Sequence, residues 1–187
     1  MKILLIDNGT TLLRKLEKLA GPHEITKKWN EILPSDATSY DLVVLSGSSQ
    51  YSASRNYDLF KKEAELIRST KVPLIGICFG CELIAHAFGG TLGELTSKHQ
   101  GIREIRFLGK EISSQEKVKV YENHQAVITA MPEGFSVIAS SEDGPEMIRH
   151  KSLPIVGFQF HPENCVDETE GDEIFYKVLT LISPSLV

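Results

Sequence analysis

Three residues with the chemistry of a covalent hydrolase stand at the ends of two apolar segments. Gly76-Ile77-Cys78-Phe79-Gly80 follows directly on Val72-Pro73-Leu74-Ile75. A buried strand that ends on a cysteine between two glycines, with a helix starting just beyond, presents a nucleophile. The glycines remove the Cβ clashes of so sharp a turn. The helix's unpaired N–H groups and positive dipole end favour thiolate over thiol. Further along, the apolar run Ile155–Phe160 ends in His161-Pro162-Glu163. Pro162 holds His161 extended, and strand alternation sets Glu163 on the same side as His161. The carboxylate can then bond one imidazole nitrogen and leave the other to face a sulfur. Cys78, His161 and Glu163 read as nucleophile, base and orienter. The ordinary alternatives, a small buried core cysteine and a polar strand end, leave the flanking glycines unexplained.

The elements that must position these groups follow from periodicity. Residues 2–6 and 42–45 are short apolar runs that read as buried strands, and Val72–Ile77 is a third. Leu12, Leu13, Leu16 and Leu19 recur at helical spacing until Gly21-Pro22. Tyr57 to Ser69 carries an apolar helical face, and Leu83, Ile84, Ala87 and Phe88 another, closed by Gly89-Gly90. A further strand is expected near His23–Lys28. Strand–helix alternation with short loops implies a mostly parallel open sheet with helices on both faces. After about residue 90 the pattern changes. Ile102–Phe107, Lys117–Tyr121, Phe135–Ser140 and Met147–His150 read as strands of a small antiparallel excursion, and Asp172 to Ile182 as the closing helix. Ser46-Gly47-Ser48, Cys78 and His161 all fall at expected carboxyl ends of strands, where open α/β sheets gather function.

With 187 residues, one domain spanning 1–187 is expected. The net charge of −5 and the lack of a basic cluster argue against nucleic-acid binding. No stretch approaches the ~20 apolar residues of a membrane span, and the N-terminal run is too short for a signal peptide. Three cysteines, Cys78, Cys81 and Cys165, do not make a disulfide framework. The chain reads as cytoplasmic.

Cys78-Phe79-Gly80-Cys81 also fits a C-x-x-C redox motif, but that reading leaves His161-Pro162-Glu163 and Ser46-Gly47 without a role. A zinc site on Cys78, Cys81 and His161 lacks a clear fourth ligand. No metal is expected in the chain.

Leu45-Ser46-Gly47, Gly76–Gly80, Ala85-x-x-Phe88-Gly89-Gly90 and Gly157–Glu163 together resemble the class I glutamine amidotransferases, across nearly the whole chain. The resemblance implies a flavodoxin-like sheet and hydrolysis of glutamine through a Cys78 thioester, with Cys78, His161 and Glu163 catalytic. It implies an oxyanion site from the Phe79 N–H and the Gly47–Ser48 loop. It also implies substrate contacts at position 82 and in the Asn123–Ala126 segment, with Gln125 and Ala126 as the candidates. Two departures stand out. The family usually has two glycines and a proline after the loop serine, where this chain has Gly47-Ser48-Ser49. It often has glutamine where this chain has Glu82. A carboxylate can bond the substrate ammonium, but it donates no hydrogen bond unless protonated, and it disfavours a nearby thiolate.

Residues 131–141, 148–150, 153–155 and 157–163 resemble the free-standing glutaminase subunits that serve GMP synthases. This implies glutamine as substrate and a separate ATP-dependent synthase subunit that aminates XMP. It implies no cofactor in this chain, with ATP and Mg²⁺ only on the partner. Ala126 stands where those subunits often have aspartate. The amidotransferase component of anthranilate or aminodeoxychorismate synthase, a stand-alone γ-glutamyl hydrolase or peptidase, and a non-catalytic regulatory module remain as alternatives.

Overall fold

A computed structural model of the chain describes residues 1–22 and 24–183. In chain order the elements are β1 (Ile3–Asp7), α1 (Leu13–Ala20), β2 (Glu24–Lys28), β3 (Leu42–Leu45), α2 (Lys61–Ser69), β4 (Leu74–Ile77), α3 (Phe79–Ala87), β5 (Thr91–Phe107), β6 (Lys117–Ala130), β7 (Phe135–Ser141), β8 (Gly144–His150), β9 (Ile155–Phe158) and α4 (Gly171–Ile182). Short 3₁₀ turns at Pro34–Ser39 and Tyr57–Phe60 join them, so the expected Tyr57–Ser69 helix is α2 preceded by a tighter turn. His23, placed in the second strand by the sequence reading, lies outside the described residues.

One sheet carries the nine strands of the described residues, in the order β2-β1-β3-β4-β9-β8-β7-β5-β6. The strands β2, β1, β3, β4 and β9 run parallel. Their apolar runs are buried on both faces, as helices on either side require. Ile3 and Leu5 point into one core with Leu16, Leu19, Phe175 and Val178 of α1 and α4. Leu4 and Ile6 point into the other with Leu66, Ile67, Leu83 and Ile84 of α2 and α3. Each such side chain contributes about 1.5–3 kcal/mol by leaving water. This is the expected architecture.

The antiparallel part is larger than the sequence suggested. β5 runs for 17 residues and β6 for 14. Asn123–Ala126, beyond the expected Lys117–Tyr121 strand, lies inside β6 and pairs with β5, with Glu94↔Ala126 and His99↔His124 in register. Polar residues on a strand at the sheet edge meet solvent or loops, so they need no turn. The outer edge of β6 then curls back toward the parallel strands. Its Tyr121 carbonyl accepts from the His161 N–H at 2.8 Å, and its Lys119 carbonyl from the Glu170 N–H at 2.9 Å. That curl carries Asn123 to Ala126 over the carboxyl ends of β3, β4 and β9. None of the helices among the described residues is long and apolar enough to cross a membrane.

Candidate active site

Cys78 sits between β4 and α3 with φ 50° and ψ −107°. Only two non-glycine residues among those described have positive φ, Cys78 and Cys165. Such a conformation costs roughly 1–3 kcal/mol and persists where its surroundings enforce it. Here the Cys78 N–H donates to the Phe158 carbonyl at 2.7 Å, and its carbonyl accepts from the Glu82 N–H at 3.0 Å. The flanking glycines make room for the turn. A Cβ on Gly80 would lie 2.7 Å from the Leu45 carbonyl oxygen, and one on Gly76 2.5 Å from Ile84 Cδ1. The elbow therefore needs both glycines.

His161 and Glu163 follow β9, which ends at Phe158. The strand alternation expected to align them is not what does so. Pro162 starts a tight turn closed by the Asn164 N–H on the His161 carbonyl at 3.1 Å, and the turn folds Glu163 back onto the imidazole. His161 Nδ1 lies 2.8 Å from Glu163 Oε1, and both residues are buried. With Nδ1 engaged, Nε2 has no hydrogen-bond partner among the described residues. The imidazole packs beside the elbow: a Cβ on Gly47 would meet His161 Cε1 at 3.1 Å and Cys78 Cβ at 3.6 Å. The Cys78 sulfur also lies 3.9 Å from the Asn123 carbonyl, on the curled-back β6.

The electrostatics are those of a closed, dry site. Burial pushes the Cys78 thiol up, against the pull of His161 beside it, and the Glu82 charge pushes the same way as burial. The Phe79 N–H acts in the expected direction, but desolvation outweighs it. Burial disfavours a charged His161, yet the Glu163 carboxylate and Cys78 outweigh it and hold the imidazole well above 6.5. The pair titrates as a unit, and it must give up a proton before the sulfur can attack.

A cleft of about 580 Å³ opens over this pair, and Cys78, Phe79, Glu82, Ser48 and His161 reach it from the sheet side. Gln125 and Ala126 reach it from β6. Gly47 packs beneath the imidazole instead, where a Cβ would press on His161 Cε1 at 3.1 Å. Ser48 Oγ accepts from the Gln50 and Tyr51 N–H groups at 3.2 and 3.0 Å, holding the loop in a turn. The Gln125 amide donates to the Leu95 carbonyl at 3.1 Å, which ties it across to β5. Glu82 is 4% exposed, and its Oε1 accepts from Gln159 Nε2 at 3.0 Å. Burial raises its pKa, partly opposed by that bond and by His124 and His161.

Sequence reasoning missed the supports of the loop. Asn8, just past β1, donates its N–H to Ser46 Oγ at 2.8 Å and its Nδ2 to Glu63 Oε1 at 3.0 Å. Glu63 is 1% exposed inside α2, and burial lifts its pKa to about 8. Its place on the same helical face as Phe60, Ala64 and Ile67 was the available signal. Lys98 and Arg55 at the cleft rim carried none.

The profile of the family described as glutamine amidotransferase class-I matches residues 4–181. A Pyrococcus abyssi protein, named as one of the subunits of the glutamine-hydrolysing GMP synthase, is 30% identical over 182 residues, spanning 91% of this chain and 93% of that one. An anthranilate synthase component 2 from Thermococcus kodakarensis is 34% identical over 113 residues, spanning 58% and 59%. A solved Thermoplasma acidophilum structure, provisionally described as the corresponding GMP synthase subunit, superposes with a TM-score of 0.87 at 26% identity, covering 99% of this chain and 95% of that one.

Proposed function

Because the chain belongs to the glutamine amidotransferase class-I family, we propose that it hydrolyses glutamine at Cys78, His161 and Glu163 and passes the ammonia to a separate ATP-dependent synthase subunit that aminates XMP to GMP. The observation that carries the catalytic assignment is the strained Cys78 elbow packed against an imidazole whose far nitrogen is held by a buried carboxylate.

The steps follow from that geometry. The Cys78 sulfur forms a bond to the side-chain carboxamide carbon of glutamine. The carbonyl oxygen gains negative charge and is met by the Phe79 N–H and by the backbone of the Gly47–Ser48 loop. His161 gives its proton to the departing nitrogen, the C–N bond breaks, and ammonia leaves a γ-glutamyl thioester. Water, with its proton drawn to His161, adds to the thioester carbon. The C–S bond breaks, glutamate departs and the thiol is restored. Glu163 keeps the imidazole in the tautomer and orientation that both proton transfers need. Glu82, Gln125 and Ala126 line the same cleft, and on this reading they bind the amino-acid end of glutamine. The glutaminase step needs no cofactor from this chain, and ATP and Mg²⁺ belong with the partner.

The GMP pathway is favoured over anthranilate synthesis because the likeness to a GMP synthase subunit runs nearly the full length of both chains, against little more than half for the anthranilate component. The unpaired cysteines fit a reducing, cytoplasmic setting. The test is ammonia release from glutamine, by the chain alone and with a GMP synthase ATP-pyrophosphatase subunit, XMP and ATP. Stimulation that requires XMP supports the assignment. Cys78-dependent release that chorismate-using partners stimulate instead would move the chain to the other pathway.

A further inference from the structure

The curl that brings β6 over the active site encloses a second group of side chains. Glu122 and His124 stand on β6 and Glu146 on β8, two strands that are not neighbours in the sheet order. The three residues are 1%, 3% and 1% exposed. Each offers a ligand atom, and these atoms all lie within 4.8 Å of one another. Each also keeps one buried polar atom without a hydrogen-bond partner among the described residues: Glu122 Oε1, His124 Nε2 and Glu146 Oε2. An orphaned polar atom inside a protein costs about 1–3 kcal/mol, so three in one buried cluster favour a common partner.

The neighbouring bonds define what that partner is. His124 Nδ1 lies 3.0 Å from the Ala126 carbonyl, which can only accept. Nδ1 therefore carries the hydrogen, and in the neutral ring the Nε2 lone pair points into the group, as it does in metal-bound histidines. Nε2 is 3.5 Å from Glu122 Oε2 but makes no hydrogen bond to it. Glu146 Oε1 accepts from Ser141 Oγ at 2.6 Å, which steadies the carboxylate and leaves Oε2 for the centre. An adjoining group, His99, Glu122 and Asp143, differs. There Arg103 pairs with both carboxylates, Glu122 and Asp143, whereas in the first group it reaches Glu122 and not Glu146.

We propose that Glu122, His124 and Glu146 bind one divalent transition-metal ion, with Zn²⁺ the best fit, as a structural clamp that fastens β6 to β8. Two carboxylates and a neutral imidazole carry a charge of −2, of which Arg103, 3.4 Å from Glu122 Oε2, offsets one; a divalent ion outweighs the remainder. One nitrogen and two oxygens suit zinc, with bonds of about 2.0–2.2 Å. The donors lie within 4.8 Å of one another, and a tetrahedral ion would draw them to a mutual spacing of ~3.4 Å. A second carboxylate oxygen or a water takes the fourth place. The sequence reading placed no metal in the chain. It considered only Cys78, Cys81 and His161 as ligands, and Glu122 and Glu146 lie too far apart in sequence to suggest a site. The ion takes no part in the glutaminase step. It fixes the strand that forms the β6 wall of the cleft, and through Glu146, whose carbonyl accepts from the Gln159 N–H at 2.8 Å, it steadies the Gln159–Glu82 pair.

The test uses the full chain stripped with a chelator, then titrated with Zn²⁺ and, separately, Co²⁺. The expected results are one tightly held ion per chain, a higher melting temperature on reloading, and a Co²⁺ spectrum without a thiolate charge-transfer band. Glu122→Gln and Glu146→Gln keep side-chain volume and should weaken binding at least about tenfold, whereas Cys78→Ala should bind as the parent does. The Co²⁺ spectrum reports donor identity in the unmutated protein, so the test stands even if a variant folds poorly. No binding, a thiolate band, or an ion lost in Cys78→Ala but kept in Glu146→Gln would each overturn the proposal.

Discussion

Replacing Glu63 by glutamine should stabilise the protein, by an amount that depends on pH in a calculable way. Glu63 is buried in α2, and its Oε1 accepts from Asn8 Nδ2. Burial lifts its pKa from 4.5 to about 8. Between these values the unfolded chain has released the proton and the folded chain has kept it. The folded state then binds more protons than the unfolded state, so stability falls as pH rises. Each pKa unit is worth 1.36 kcal/mol. The penalty is near zero below pH 4.5, about 3 kcal/mol at pH 7, and levels off near 5 kcal/mol above pH 8. Glutamine keeps an oxygen for Asn8 and cannot ionise. The gain in unfolding free energy of Glu63→Gln over the parent should therefore climb by about 1.4 kcal/mol per pH unit between pH 5 and 8. Urea unfolding in reducing buffer, followed by circular dichroism at four or five pH values, measures it directly. A difference that stays flat over that range would refute the reasoning, because it would mean that Glu63 is ionised in the folded protein. The variant should also keep its glutaminase activity, since the Asn8–Ser46 support of the loop is untouched.

Two further predictions concern the catalytic pair. At 2.8 Å the Glu163 carboxylate stabilises an imidazolium by about 6 kcal/mol at an effective dielectric of 20. A glutamine there recovers part of this as a neutral hydrogen bond, so Glu163→Gln should lower kcat by about 10²–10⁴ with little change in KM, read by ammonia release. A loss below about threefold would remove Glu163 from its assigned role. Glu82→Gln takes away a charge that raises the Cys78 thiol while keeping an oxygen for Gln159. The rise of kcat/KM with pH should then begin at lower pH than in the parent, and an unmoved or alkaline-shifted limb would show that Glu82 is neutral when the enzyme works.

The parallel half of the fold was legible because its strands are continuous apolar runs between glycine-rich turns, and doubly buried strands leave that mark. The Cys78 elbow was legible for a related reason: a cysteine between two glycines at a strand end has few structural uses. The His161–Glu163 pairing was foreseen from the wrong local geometry, since a proline-led turn and strand alternation both bring residues two apart together. The curl of β6 left no trace in periodicity. Asn123–Ala126 reads as a break because its polar groups meet the cleft and the loop after β9, which are tertiary neighbours. Glu63, Glu122 and Glu146 were passed over for the same reason. A buried carboxylate looks like a surface one until the elements around it are assembled, and only the apolar neighbours of Glu63 gave any warning.

The central claim is that Cys78 attacks the glutamine carboxamide and is returned by His161-assisted hydrolysis. Its most direct test is mass spectrometry of the intact protein, quenched during glutamine turnover in the presence of the synthase partner, XMP and ATP. The account predicts a γ-glutamyl adduct that maps to Cys78, disappears when glutamine is exhausted, and is absent, together with ammonia release, in Cys78→Ala. Ammonia release that survives Cys78→Ala, or an adduct on Cys81 or Cys165, would contradict it.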